Sequence, residues 1–314
     1  MKKSFRAKKN KHFDPVNRML TPDSHTKINW FPGHMNKAIK KIKERLKMVD
    51  IVLEIRDARS PMATGNASLR AVIGEKSKLI LINKKNLADP KILKSWEKWF
   101  ESKDEPYLFV NALDKNSLQE VIKKAKFLVN TKIKESNPDY KEKTKIRMMI
   151  IGLPNTGKST IINRLANRNA SKVADKPGQT QQQLWVTVND EIEILDTPGV
   201  MTPDIKTNEQ GLWLSAIHAI PDRIAGSDLI ASFIVEYLIK NNRNALIERY
   251  NLEKEPTDLI ETFNEIAKIR GCFLKKNEFD YDRVYKLIIS DLRSGKLGLI
   301  SFGTPPRIKS DPTV

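Results

Sequence analysis

The chain has 314 residues, 39% hydrophobic and 30% charged, which suffices for a full α/β core plus a second, smaller unit. Its 56 lysines and arginines against 38 aspartates and glutamates give a net charge of +18, a field that draws polyanions; nucleic acid, an anionic membrane surface and a plain lysine-rich bias all remain open on charge alone. No apolar run approaches the ~20 residues that cross a bilayer, no apolar signal segment follows the basic start, and the single Cys272 excludes an internal disulfide, so a cytoplasmic, reducing setting is expected.

Residues 1–28 are rich in Lys and Arg and poor in apolar side chains, which predicts a flexible basic arm. Ile39, Ile42 and Leu46, set among Lys37, Lys40, Lys41, Lys43 and Arg45, predict a basic amphipathic helix. Three short apolar runs follow, Ile51–Ile55, Leu79–Ile82 and Tyr107–Val110, each with helix-like sequence after it. Such runs, bounded and rich in β-branched residues, predict parallel strands buried on both faces. A charged connector over 132–145 leads to a fourth run, Met148–Ile151. Trp185–Val188 and Ile192–Leu195, separated by Asn189-Asp190-Glu191, predict an antiparallel hairpin. Six strands with helices between them describe a doubly wound α/β sheet with helices on both faces. From about Thr207 the apolar residues recur at helical spacing, in Leu212–Ile220, Leu229–Ile239, Leu259–Ile269 and Val284–Leu292, which predicts an all-helical unit. Cys272 lies in an apolar stretch and reads as a buried, inert thiol. The expected organisation is thus an arm over 1–28, a nucleotide domain over 29–205, a helical domain over 206–300 and a loose tail over 301–314.

The strongest motif is Gly152-Leu153-Pro154-Asn155-Thr156-Gly157-Lys158-Ser159, a G-x-x-x-x-G-K-S directly after the fourth run. Its glycines let backbone amides turn inward around phosphates, and the helix opening at Lys158, Ser159 and Thr160 points its positive end at them. Lys158 supplies a cation to the β- and γ-phosphates, and the Ser159 hydroxyl is a ligand for Mg2+. Asp196-Thr197-Pro198-Gly199 ends the second hairpin strand, where a carboxylate holds Mg2+ through water and the Gly199 amide meets the γ-phosphate. Between the two lies Lys176-Pro177-Gly178-Gln179-Thr180, whose Thr180 is placed to complete the metal shell.

Upstream of the P-loop, Asn83-Lys84-Lys85-Asn86 follows the second run and Asn111-Ala112 follows the third. They resemble the guanine-specificity loop, usually N-K-x-D, and the S-A-type loop whose amide meets the guanine oxygen. In an ordinary GTPase both follow D-x-x-G; here they precede the P-loop, the order of circularly permuted GTPases. Permutation is physically sound because strand neighbours, not chain order, build the sheet. Within that class the chain resembles the ribosome biogenesis GTPase A family, through Trp30-Phe31-Pro32-Gly33-His34-Met35, Arg56-Asp57-Ala58-Arg59-Ser60-Pro61 and the permuted motif set, over about residues 29–295. The resemblance implies GTP hydrolysis coupled to late assembly of the large ribosomal subunit. It also implies a large-subunit precursor and its ribosomal RNA as partners, no membrane, and a monomer.

It further implies roles for single residues. Val200 stands where many GTPases place a water-orienting glutamine, and an apolar side chain cannot orient water; His34 matches the histidine thought to take over. Asn155 matches the P-loop asparagine of potassium-stimulated GTPases, so K+ is a further expectation beside GTP and Mg2+. Asn86 departs from the pattern, because its amide offers guanine one acceptor and turns a donor toward the base's own donors. Lys240, Arg243, Arg249, Lys268, Arg270, Lys275 and Lys276 are candidate RNA contacts. Two other readings stay open: a nucleotide-sensing RNA-binding switch with little catalysis or relaxed guanine specificity, and a P-loop ATPase.

Overall fold

In the computed structural model, residues 35–66, 71–103, 105–166, 185–196 and 205–307 are described. The basic arm, His34, Thr180, Gly199 and Val200 lie outside them. A helix α1 (Met35–Arg45) leads into strand β1 (Ile51–Asp57), which pairs in parallel with both β2 (Ser77–Asn83) and β4 (Ile146–Gly152). Strand β3 (Tyr107–Phe109) flanks β2, β6 (Ile192–Asp196) flanks β4, and β5 (Trp185–Asn189) closes the far edge antiparallel to β6. The order is β3-β2-β1-β4-β6-β5, so the six expected strands and the expected hairpin are all present.

Alternation along the strands divides the core. Ile51, Leu53, Ile55, Leu79, Leu81, Met148, Ile150, Ile192 and Ile194 pack with α3 (Lys115–Ser136) and α4 (Lys158–Leu165) on one face. On the other face Ile80 and Ile82 meet Trp96, Trp99 and Phe100 of α2 (Pro90–Glu101). Beside them Val52, Met149, Ile151 and Leu195 share one core with the C-terminal helices. Those helices are α5 (Asn208–Ala216), α6 (Asp222–Ala225), α7 (Ser227–Asn241), α8 (Arg243–Tyr250), α9 (Leu259–Arg270) and α10 (Tyr281–Arg293). The helical region is therefore packed onto the sheet rather than tethered beside it.

Local chemistry sets the helix starts. Asp89 caps α2 by accepting from the Lys91 amide at 2.7 Å, with Pro90 at the first position. Asp258 caps α9 through the Ile260 and Glu261 amides, and Gly271 ends that helix in a left-handed conformation. Cys272 is buried, as expected.

Two expectations need correction. The connector expected over 132–145 is helical up to Ser136, because α3 continues until Asn137 caps it; Asn130 then fixes the return by accepting from the Lys143 amide at 2.8 Å. The tail expected to be loose from 301 is packed at its start: Ser301 and Phe302 are buried, and the Phe302 amide donates to the Arg59 carbonyl at 2.6 Å. Phe302 packs tilted against Phe233 and edge-on against Tyr237, which supplies the apolar burial that orders it.

Candidate nucleotide site

The P-loop leaves β4 at Gly152, where a Cβ would lie 2.4 Å from the Ile55 carbonyl of the neighbouring strand, so only glycine lets β1 and β4 stay paired there. Gly157 has φ +103, and a Cβ on it would lie 2.2 Å from Asn83 Nδ2. That second contact shows what the permuted order hides: the Asn83 loop sits directly against the P-loop.

Asn83 ends β2 and is buried. Its Nδ2 donates to the Thr156 carbonyl at 2.9 Å, and its Oδ1 accepts from the Ala112 amide at 3.0 Å. One side chain thus ties together the three loops expected to hold phosphate and base. Lys84, at φ 64, turns its Nζ to the Asn155 carbonyl at 2.5 Å and to Asp57 Oδ2 at 2.9 Å. Asn86 is exposed in the short turn Lys85–Leu87, free of the burial that would fix its orientation. Asp89 is occupied as the α2 cap and does not substitute for it.

Within the P-loop, Thr156 is buried and its hydroxyl donates to the Leu153 carbonyl at 2.9 Å. Lys158 Nζ reaches the same carbonyl at 2.6 Å, so the loop's own oxygen holds the ammonium at the mouth of the helix. Ser159 is exposed and Thr160 half-buried in the first turn of α4. Asn155, at φ 56, is exposed, and its Nδ2 donates to the His218 carbonyl at 2.9 Å. His218 belongs to the turn between α5 and α6, so the P-loop touches the helical region directly. That turn is fixed by Asp222, whose Oδ1 lies 3.0 Å from His218 Nδ1 and accepts from Arg293 at 2.6 Å. Burial alone would raise the Asp222 carboxyl, but the bonds and charge of Arg293 and His218 outweigh it and hold it below the usual carboxylate range.

Side-chain bonds hold both residues of the Asn111-Ala112 loop. Asn111 Oδ1 accepts from the Leu113 amide at 3.0 Å, which closes its own loop. The Ala112 amide, expected to meet a guanine oxygen, is already taken by Asn83. Asp196 ends β6 beside Ile150 of β4, which brings its backbone to the carboxyl edge of the sheet next to the P-loop strand. A hydrated Mg2+ takes one or two protein oxygens plus phosphate oxygens, and a hydroxyl on α4 with a carboxylate at the end of β6 is a donor set of that kind. For a larger monovalent cation the remaining oxygen is Asn155 Oδ1, since Nδ2 serves His218.

The sequence alone gives Asp57 no task in the site. It is buried, it pairs in register with Asn83, and it binds Arg59 through two bonds of 2.8 and 3.0 Å. Burial alone would raise its carboxyl; the charges and bonds of Arg59 and Lys84 together outweigh burial and hold it far below the usual range. The available signal was a carboxylate at the end of a strand whose neighbour ends in Asn-Lys. Among the candidate RNA contacts, Arg243 pairs with Glu255, Arg249 with buried Asp291, and Arg270 donates to the Arg249 carbonyl. Lys240, Lys268, Lys275 and Lys276 remain exposed.

The chain is similar to known proteins over most of its length. The family described as 50S ribosome-binding GTPase matches residues 147–265, beginning in β4 just before the P-loop. A ribosome biogenesis GTPase A from Bacillus licheniformis is 39% identical over 278 residues, covering 88% of this chain and 98% of that protein. Another, from Thermotoga maritima, is 30% identical and covers 90% and 96% respectively. The crystal structure of GNP-bound YlqF from T. maritima aligns with a TM-score of 0.59 and 26% identity, across 87% of this chain and 100% of that one. A P-loop, an Asn83 side chain that joins it to the two upstream loops, and relatives of matching length lead to one assignment: the chain belongs to the ribosome biogenesis GTPase A family of circularly permuted GTPases.

Proposed function

We propose that this GTPase binds Mg·GTP at the P-loop, engages a precursor of the large ribosomal subunit, and leaves after hydrolysis late in its assembly. The observation that carries the reading is the Asn83 stitch, which makes one site from the P-loop and two loops that precede it in sequence. Lys158 and the α4 amides hold the β- and γ-phosphates, with Ser159 and Asp196 as Mg2+ ligands and Thr180 completing the shell. When bound there, Mg2+ would supply positive charge against the charge that develops on the phosphoryl oxygens. Gly199 meets the γ-phosphate, and Asn155 Oδ1 is the oxygen offered to K+. Lys84 lies along the base, and Asn86 faces its Watson–Crick edge.

With Val200 apolar, His34 orients the attacking water, and intrinsic turnover is low until the particle brings His34 to the site. The contact between Asn155 and His218 gives the helical region a direct mechanical link to the phosphate loop. Exposed Lys240, Lys268, Lys275 and Lys276, together with the basic arm over 1–28, meet ribosomal RNA phosphates in a cytoplasmic, monomeric protein. No helix among the described residues is long and apolar enough to cross a membrane. Relatives named as GTPases favour hydrolysis over the sensor and ATPase readings.

Sedimentation tests the proposal. Protein loaded with a non-hydrolysable GTP analogue should co-migrate with large-subunit precursors at low salt and dissociate as salt rises. Free protein at the top of the gradient in every nucleotide state refutes the particle assignment.

A further inference from the structure

Asp57 does more than end a strand. Its backbone is locked: the Asp57 amide donates to Thr64 Oγ1 at 3.0 Å, its carbonyl accepts from the Ser60 amide at 3.0 Å, and the next residue's amide bonds the Asn83 carbonyl at 2.7 Å. Arg59 fixes the carboxylate from one side through its side chain and its own amide. The remaining direction faces Lys84, whose ammonium bridges Asp57 Oδ2 at 2.9 Å and the P-loop carbonyl of Asn155 at 2.5 Å. A lysine stem is flexible and loses rotamer freedom when it is ordered. Here both its backbone, at φ 64, and its charged end are held before any ligand arrives.

We propose that Asp57 is a positioning residue of the nucleotide site, holding the Lys84 ammonium on the P-loop so that the Lys84 stem is fixed where the base lies. The proposal deepens the functional reading and rests on its assignment of Lys84 to the base. Asp57 touches no nucleotide atom itself. Its contribution is to remove the ordering cost that binding would otherwise carry, which is the general route by which preorganisation raises affinity.

A mutant cycle on the full chain tests it, with fluorescent GDP as the probe. Asp57→Asn alone leaves the buried Arg59 guanidinium without its carboxylate and risks misfolding, so the change is made in an Arg59→Met background, which removes both charges of the pair together. Relative to Arg59→Met, the Asp57→Asn/Arg59→Met protein should bind GDP on the order of tenfold or more weakly, since one charge-assisted contact no longer orders the lysine. Lys84→Met should lose at least as much. In a Lys84→Met/Arg59→Met background, adding Asp57→Asn should change the affinity less than about twofold. A purely structural Asp57 would instead show its full loss again there. A further tenfold loss in the Lys84→Met background, or an undiminished affinity in Asp57→Asn/Arg59→Met, overturns the proposal. Lys84→Met binding GDP normally would instead sink the assignment of Lys84 to the base, and the proposal with it.

Discussion

Asn83 and Thr156 stand 73 positions apart, yet the Asn83 amide donates to the Thr156 carbonyl at 2.9 Å. The contact exists because β2 and β4 both flank β1 and end on the same edge of the sheet, so their following loops meet. Strand adjacency, rather than chain order, builds the site.

Gly157→Ala should cripple the site through sterics alone. The new methyl would lie 2.2 Å from Asn83 Nδ2 at a backbone φ of +103. Strain of this kind costs about 1–3 kcal/mol. Nucleotide affinity should fall at least about tenfold, since the stitch must open to admit the methyl. Thermal melting and nucleotide titration together check this, and wild-type values for both would contradict the close packing.

Asn86→Asp should sharpen base selection. A carboxylate at this exposed position accepts from both guanine donors, whereas inosine lacks the exocyclic amine. The added charge-assisted contact is worth about 1.5–3 kcal/mol, so the preference for GDP over IDP should rise on the order of tenfold or more. An unchanged ratio of dissociation constants would mean that Asn86 does not face the base.

Acid should weaken the fold through Asp57. Its folded carboxyl is held far below the ordinary value of about 4, so its contribution is fully present above that unfolded value. As pH drops below about 4 toward the folded value, the unfolded chain takes up the proton first and the contribution is lost. Denaturant unfolding across this window should show a steeper stability loss for wild type than for Asp57→Asn/Arg59→Met. Parallel curves would count against the charge network.

His34→Ala should separate chemistry from binding. If His34 orients water, particle-stimulated turnover falls about 100-fold or more while nucleotide affinity stays within twofold of wild type, as expected for a positioned group that acts in the transition state. Steady-state kinetics with and without purified subunits decide it, and unchanged turnover removes the role.

The sheet was legible because its strands are short, bounded and buried on both faces, so each apolar run survives as a signal. The short helices α6, of four residues, and α8, of eight, offer too few turns for periodicity to register. Lys132–Ser136 looked like a connector because charged side chains mask helical continuation; only Ile133 is half-buried there. The packing of Ser301 and Phe302 depends on a groove formed by distant Tyr237 and Arg59, which no local pattern encodes. In the site, the P-loop and Asn83 were readable by residue type and spacing. The bond from the Ala112 amide to Asn83 was not legible because the acceptor comes from another strand end, and Asp57 was passed over because its partners, Arg59 and Lys84, straddle two strand ends.

The most direct test of the permuted site is photocrosslinking with an azido-guanosine triphosphate followed by peptide mapping. The account predicts base-directed label in peptides carrying Lys84–Leu87 or Asn111–Asp114, suppressed by excess GTP. Label confined to peptides beyond Asp196, with none upstream of the P-loop, would contradict it.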